Sequence, residues 1–113
     1  MFRTLMRGAF AAVLLLAATT AQAADADAGV AIDNFTFGPQ ELHVKVGTTV
    51  TWVNRDDIPH TVTSTTLAFR SKALDTNDKF SFTFTTPGSY KYFCSLHPHM
   101  TGTIVVEAAA GGK

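Results

Sequence analysis

Tyr92-Phe93-Cys94-Ser95-Leu96-His97-Pro98-His99-Met100 sets one thiol, one imidazole and one thioether at Cys-x2-His-x2-Met spacing. Its first half reads as the end of a strand, because Tyr90, Tyr92 and Cys94 fall on one face of a period-two pattern. Its second half reads as a tight loop, with Gly102 opening the next strand. Pro98 restricts its own φ and the conformation of His97. The loop must therefore curl and return Cys94, His97 and Met100 toward one point. A second imidazole stands upstream in Ile58-Pro59-His60-Thr61, where Pro59 fixes the approach to His60 and its strand.

Outward from this stretch, alternation of apolar and polar residues dominates. Val30 to Phe37 reads as a first strand broken by Gly38-Pro39. Leu42, Val44 and Val46 share one face of a second, which stops at Gly47. Val50 and Trp52 continue in a third that ends near Asn54. Residues 55–59 form a loop, and His60 to Thr65 read as another strand. Phe80, Phe82 and Phe84 give the apolar face of the next, Pro87-Gly88 is a turn, and Gly102 to Glu107 close the domain with Ile104 and Val106 facing inward, or Val105 in the other register. Residues 67–78 read as a short strand or an irregular turn. Seven to eight short strands rich in β-branched and aromatic residues, with turn signals between them, predict an all-β fold: a two-sheet Greek-key β-sandwich.

The ends of the chain read differently. Arg3 and Arg7 precede an apolar run from Ala9 to Ala18, and Ala21-Gln22-Ala23 is a small-x-small cleavage signal. This is the pattern of a secretory signal peptide over residues 1–23. The apolar run is too short for a membrane span, which needs about 20 residues. Residues 24–29 are expected to be a flexible lead-in, 30–107 the folded domain and 108–113 a flexible tail. Loss of Arg3 and Arg7 changes the balance from 9 basic and 9 acidic residues to 7 − 9 = −2. The mature chain carries no basic stripe, which argues against nucleic acid as a partner. A single Cys excludes an intramolecular disulfide. A lone thiol in an oxidising compartment is a liability unless a metal or burial protects it.

The donor set narrows the chemistry. Thiolate and thioether suit Cu(I), imidazole suits Cu(II), and two His with one Cys and a weak Met describe a blue-copper electron-transfer site. The sequence supplies that set once, as His60, Cys94, His97 and Met100. His99 lies within the loop, but Met100 keeps the axial spacing, so His99 reads as a surface residue. His43 alternates with Leu42 and Val44 and reads as solvated. Trp52 reads as core.

Residues 53–61 and 92–102 resemble the two ligand segments of cupredoxins, the plastocyanin and azurin superfamily. The short loop with Pro after its His is most similar to the amicyanin and pseudoazurin branch. The resemblance spans about Val30 to Glu107. It implies a mononuclear type 1 copper protein of the periplasm that carries single electrons between redox partner proteins, with His60, Cys94, His97 and Met100 as ligands to one copper ion. The carrier is expected to be a monomer without a membrane span. His97 is the expected electron port, and Pro98 with its apolar neighbours the docking patch. One position departs from the family: many cupredoxins place Asn after the first ligand His, where it braces the ligand loop, and this chain has Thr61. A hydroxyl offers one donor where an amide offers two, which leaves the tuning of the site open.

Two other functions compete. A periplasmic copper carrier or resistance protein without redox turnover would use the same ligands, but the chain lacks the Met- or His-rich tracts expected for open copper capture. An enzyme would need an open substrate position or an acid–base pair; no Ser-His-Asp, phosphate-loop or zinc-protease motif is present, and a Cys94–His97 nucleophile pair would leave Met100 and His60 without a role. No catalytic residue is assigned.

Overall fold

The computed structural model describes residues 26–109; the expected signal peptide lies outside them, as do parts of the expected lead-in and tail. Eight strands run in the order β1 (Asp27–Asp33), β2 (Thr36–Gly38), β3 (Glu41–Lys45), β4 (Thr49–Asn54), β5 (Thr63–Ser64), β6 (Lys79–Thr83), β7 (Gly88–Cys94) and β8 (His97–Glu107). They form two four-stranded sheets, β2-β1-β4-β6 and β3-β8-β7-β5. The described residues contain no helix. The expected two-sheet sandwich is therefore the observed one.

Each sheet contains one parallel pair. β1 lies along β4 and β3 along β8, while all other pairs are antiparallel. Alternation supplies the inner faces, as period two requires. Val30 and Ile32 of β1, Val50 and Trp52 of β4, Tyr92 and Cys94 of β7, and Ile104 and Val106 of β8 are all buried. Between the sheets runs an aromatic cluster: Trp52 meets Phe69, Phe80 and Tyr92, and Phe69 meets Phe82 and Phe84. Trp52 is fully buried, as expected of core. Burial pushes the Tyr92 phenol up to about 12.

Four boundaries differ from the sequence expectation, each for a local reason. The strand expected over Val30 to Phe37 is two strands, because Asn34 and Phe35 turn with φ of 52° and 60°. β1 begins at Asp27, inside the segment expected to be lead-in, because Asp27 to Ile32 pair with Thr49 to Asn54. The strand expected from His60 is reduced to Thr63–Ser64. His60 makes only an isolated bridge to Leu74, and the next two backbone donors leave the ladder: Thr61 N–H turns to the Cys94 sulfur and Val62 N–H to the Ser71 hydroxyl. Finally, β8 starts at His97 rather than Gly102. The loop is a two-residue turn, Ser95-Leu96, followed by a bulge.

That bulge places the site. Phe93 pairs with Thr101, but the next residue, Cys94, pairs with His97. Pro98, His99 and Met100 are the excess on β8. Extra residues opposite a single step kink a strand and re-aim its side chains. Here they leave Pro98 and His99 exposed and turn Met100 inward, to 3% exposure.

Candidate metal centre

Cys94 ends β7, so the sheet fixes its direction, and its side chain is fully buried. His97 begins β8 across the Ser95-Leu96 turn. His60 enters from the other segment, held by a reciprocal backbone pair with Leu74 at 3.1 and 2.7 Å. The Cys94 Sγ lies 3.7 Å from His60 Nδ1 and 3.6 Å from His97 Nδ1. All three donor atoms sit within 4.8 Å of one another. The sequence predicts these three as ligands, and the fold brings them together. Met100 joins them in burial on the same bulge, and His99 stays exposed.

These separations can be tested against a bound ion. Bonds of about 2.3 Å to sulfur and about 2.0–2.1 Å to imidazole, opened to about 110–120°, put S and N about 3.5–3.8 Å apart. Both observed distances fall in that window. The donors also match copper chemically: a thiolate, two imidazoles and a thioether serve both of its oxidation states. The residues present therefore fit the group.

The surroundings of each donor are specific. His60 Nε2 lies 2.8 Å from Asp56 Oδ2. A carboxylate accepts only, so Nε2 carries the proton and Nδ1 presents its lone pair toward Cys94. The Asp56 carboxylate also accepts the backbone N–H groups of Asn34 and Phe35 at 2.7 and 2.9 Å. Partial burial pushes its pKa up, but the bonds from Phe35, His60 and Asn34 outweigh burial and hold it below the usual value. Asn54, fully buried, ties the loop that carries Asp56 and His60. Its amide donates to the carbonyls of Ile58 and Leu74 at 2.9 Å each and accepts Asp56 N–H at 2.9 Å.

Thr61 follows His60 directly and bonds through both its backbone and its hydroxyl. Its N–H donates to Cys94 Sγ at 3.3 Å. Its hydroxyl accepts Ser95 N–H at 2.7 Å, lies 2.8 Å from the Ser95 hydroxyl and 3.2 Å from that of Thr63. One short side chain thus links the two ligand segments. Phe35 closes the outer side. Its ring stands edge-on to those of His60 and His97, at 5.1 and 5.0 Å between centroids.

Sequence reasoning missed Asp56, Asn54 and Phe35. The first has a local signal, a carboxylate four residues before His60. Phe35 has a weaker one, since Asp33-Asn34 is a turn-forming pair that strand alternation on either side conceals. Asn54 has none, because its partners are fixed only by the tertiary fold.

The comparisons agree with this geometry. A family model described as a cupredoxin-like domain matches residues 7–106. An amicyanin from Paracoccus denitrificans is 40% identical over 92 residues, covering 77% of this chain and 70% of that protein. A plastocyanin from Scenedesmus fuscus is 34% identical, covering 73% of this chain and 93% of its own length. A solved structure of an amicyanin variant in the Cu(I) state superposes with a TM-score of 0.67 at 39% identity, over 70% of this chain and 80% of that one.

Proposed function

Because the chain belongs to the cupredoxin-like domain family, we propose that it is a type 1 copper protein of the periplasm that carries single electrons between redox partner proteins. His60, Cys94, His97 and Met100 are its ligands in this reading. The observation that carries it is the convergence of three donor atoms within 4.8 Å around a thiol that solvent does not reach. When bound, copper supplies a couple between Cu(I) and Cu(II) in which one electron enters or leaves.

The chain's own residues make that exchange fast by not moving. Cys94 and His97 are pinned by the β7–β8 ladder, and His60 by its Leu74 bridge and the Asp56 bond. Donors held by ladder and bridge would keep their positions in either oxidation state of a bound ion, so that little reorganisation would oppose transfer. The Thr61 N–H stabilises charge on sulfur. Aromatic and aliphatic groups around the thiol exclude water. His97 is the only partly exposed imidazole of the site, and its chain neighbours Leu96 and Pro98 are exposed. It is the port, and this small apolar rim suits the brief encounters of redox partners.

An enzymatic role for the thiol fits less well. Cys94, His60 and Asp56 form a chain of contacts like that of a nucleophile, base and orienting acid. A thiol at 0% exposure leaves no room for a substrate.

The test is addition of Cu(II) to the metal-free protein. An intense visible absorption band is expected, reversibly bleached by a one-electron reductant at constant copper content. Cys94→Ser must lose the band. A Cys94→Ser protein that keeps it would overturn the ligand set, and copper that leaves on every reduction would point to a copper carrier instead.

A further inference from the structure

The turn between β1 and β2 holds two non-glycine residues in the left-handed region, Asn34 at φ 52° and Phe35 at φ 60°. That conformation is unfavourable for a bulky side chain, so something must over-determine it. Asp56, 21 residues downstream of Phe35, does so. Its Oδ1 accepts Asn34 N–H and its Oδ2 accepts Phe35 N–H. The same Oδ2 accepts the His60 Nε2 proton. One carboxylate therefore holds both the backbone under Phe35 and the ring that Phe35 covers.

The result is an aromatic cover. Phe35 keeps 43% exposure, a cost it meets while standing edge-on over both imidazoles. Beside it lies a hollow of about 170 Å³ lined by Phe35, Phe37, Gln40, His99, Met100 and Thr101. Phe35 lines this hollow, with Met100, and its ring also meets both imidazoles. Without it a small anion or chelator could approach the donors from outside.

Resting on the copper reading above, we propose that Asp56 is a positioning residue that fixes the tautomer of His60 and clamps Phe35 over the centre, closing it to exogenous ligands. The cover and the ring are coupled through one group, so neither can be loosened without the other.

Two measurements test this. In the metal-free wild type, side-chain nitrogen NMR at mildly alkaline pH is expected to find His60 protonated on Nε2. A proton on Nδ1 overturns the assignment without any variant or metal. In the copper-loaded protein, removal of Cu(I) by a soluble bathocuproine chelator reads access. Asp56→Asn leaves one acceptor oxygen for three donors, and Phe35→Ala removes the cover but keeps the clamp. Each is expected to speed removal about tenfold. Asp56→Glu should return the rate close to wild type. The double variant should fall well short of the product of the single effects, because the two residues act through one device. A wild-type rate in either single variant, or a fully multiplicative double, overturns the proposal. If Asp56→Asn does not fold, the NMR result and the surface variant Phe35→Ala decide. A wild type that binds no copper sinks the carrier reading and the shielding with it. A copper-loaded wild type with unchanged variants sinks the shielding alone.

Discussion

The two segments that meet at the centre are held in opposite ways. Cys94, His97 and Met100 belong to a hairpin, where the β7–β8 ladder supplies position and a three-residue bulge supplies curvature. His60 belongs to almost no ladder. Beyond one backbone pair with Leu74 it is kept in place by side chains: Asn54 below its loop, Asp56 on its ring, Ser71 on Val62 N–H and Thr61 tying the segment to Ser95. Backbone pairing is generic and tolerant of side-chain change. Side-chain bracing is specific and fails one residue at a time. The difference predicts where substitutions near the centre will be tolerated and where they will not.

The hairpin should break through packing rather than hydrogen bonding. A Cβ on Gly102 would lie 2.5 Å from the ring of Tyr92, which pairs with it across the ladder and is itself buried. Gly102→Ala is expected to cost about 3 kcal/mol, read as a lower denaturant midpoint. A loss under about 1 kcal/mol would mean that Tyr92 can swing aside. On the His60 side, Asn54→Ala removes three hydrogen bonds and is expected to cost about 2 kcal/mol. The same variant should broaden the His60 ring resonances while leaving those of His97 sharp. Equal broadening of both would erase the contrast between the segments.

Thr61 joins the two regions, and its loss should be felt in both. Thr61→Val keeps the shape but leaves Ser95 N–H without its acceptor, an expected cost of about 1 kcal/mol. The N–H to the sulfur survives in this variant, so the visible band should persist. A lost band would move the hydroxyl from bracing into the ligand sphere.

The smallest effect lies far from the centre. His43 is exposed between Glu41 and Glu107, at 2.8 and 2.9 Å. The hydrogen bond with Glu107, then that with Glu41, raises its pKa above the ordinary value. Its contribution is fully present below the unfolded value of about 6.5 and is lost as pH rises through the folded one. Stability should thus decline as pH rises above that unfolded value, more visibly at low salt. His43→Gln should flatten that decline, and a decline unchanged in the variant would assign it to another group. Glu107 shifts the opposite way, held low chiefly by His43. Its share is present above the ordinary glutamate value and fades as acid passes the lowered one.

The same division explains which parts of the molecule are legible in the sequence. The hairpin donors are legible because spacing encodes them: two residues between Cys94 and His97 and two between His97 and Met100 survive whatever the rest of the chain does. The sandwich is legible through alternation, since Val50 with Trp52 and Tyr92 with Cys94 declare an inner face. The His60 segment announces a strand that Thr61 and Val62 decline to form, because their donors find a sulfur and a hydroxyl whose nearness depends on the finished fold. Asp56 and Phe35 are 21 residues apart, and no periodicity links them. Residues 67–78 stay ambiguous for the same reason: Phe69 and Leu74 enter the core from irregular backbone, where neither period of two nor of 3.6 applies.

The position of β8 has a consequence for how the chain is made. It sits between β3 and β7, so the last of the described strands in chain order is the one both neighbours wait for. Sheet pairing between Glu41 and Thr103 must span most of the domain, and such distant closures are slow. Until β8 pairs, that sheet lacks the strand that joins β3 to β7, and Cys94 lacks the His97 it meets across the turn.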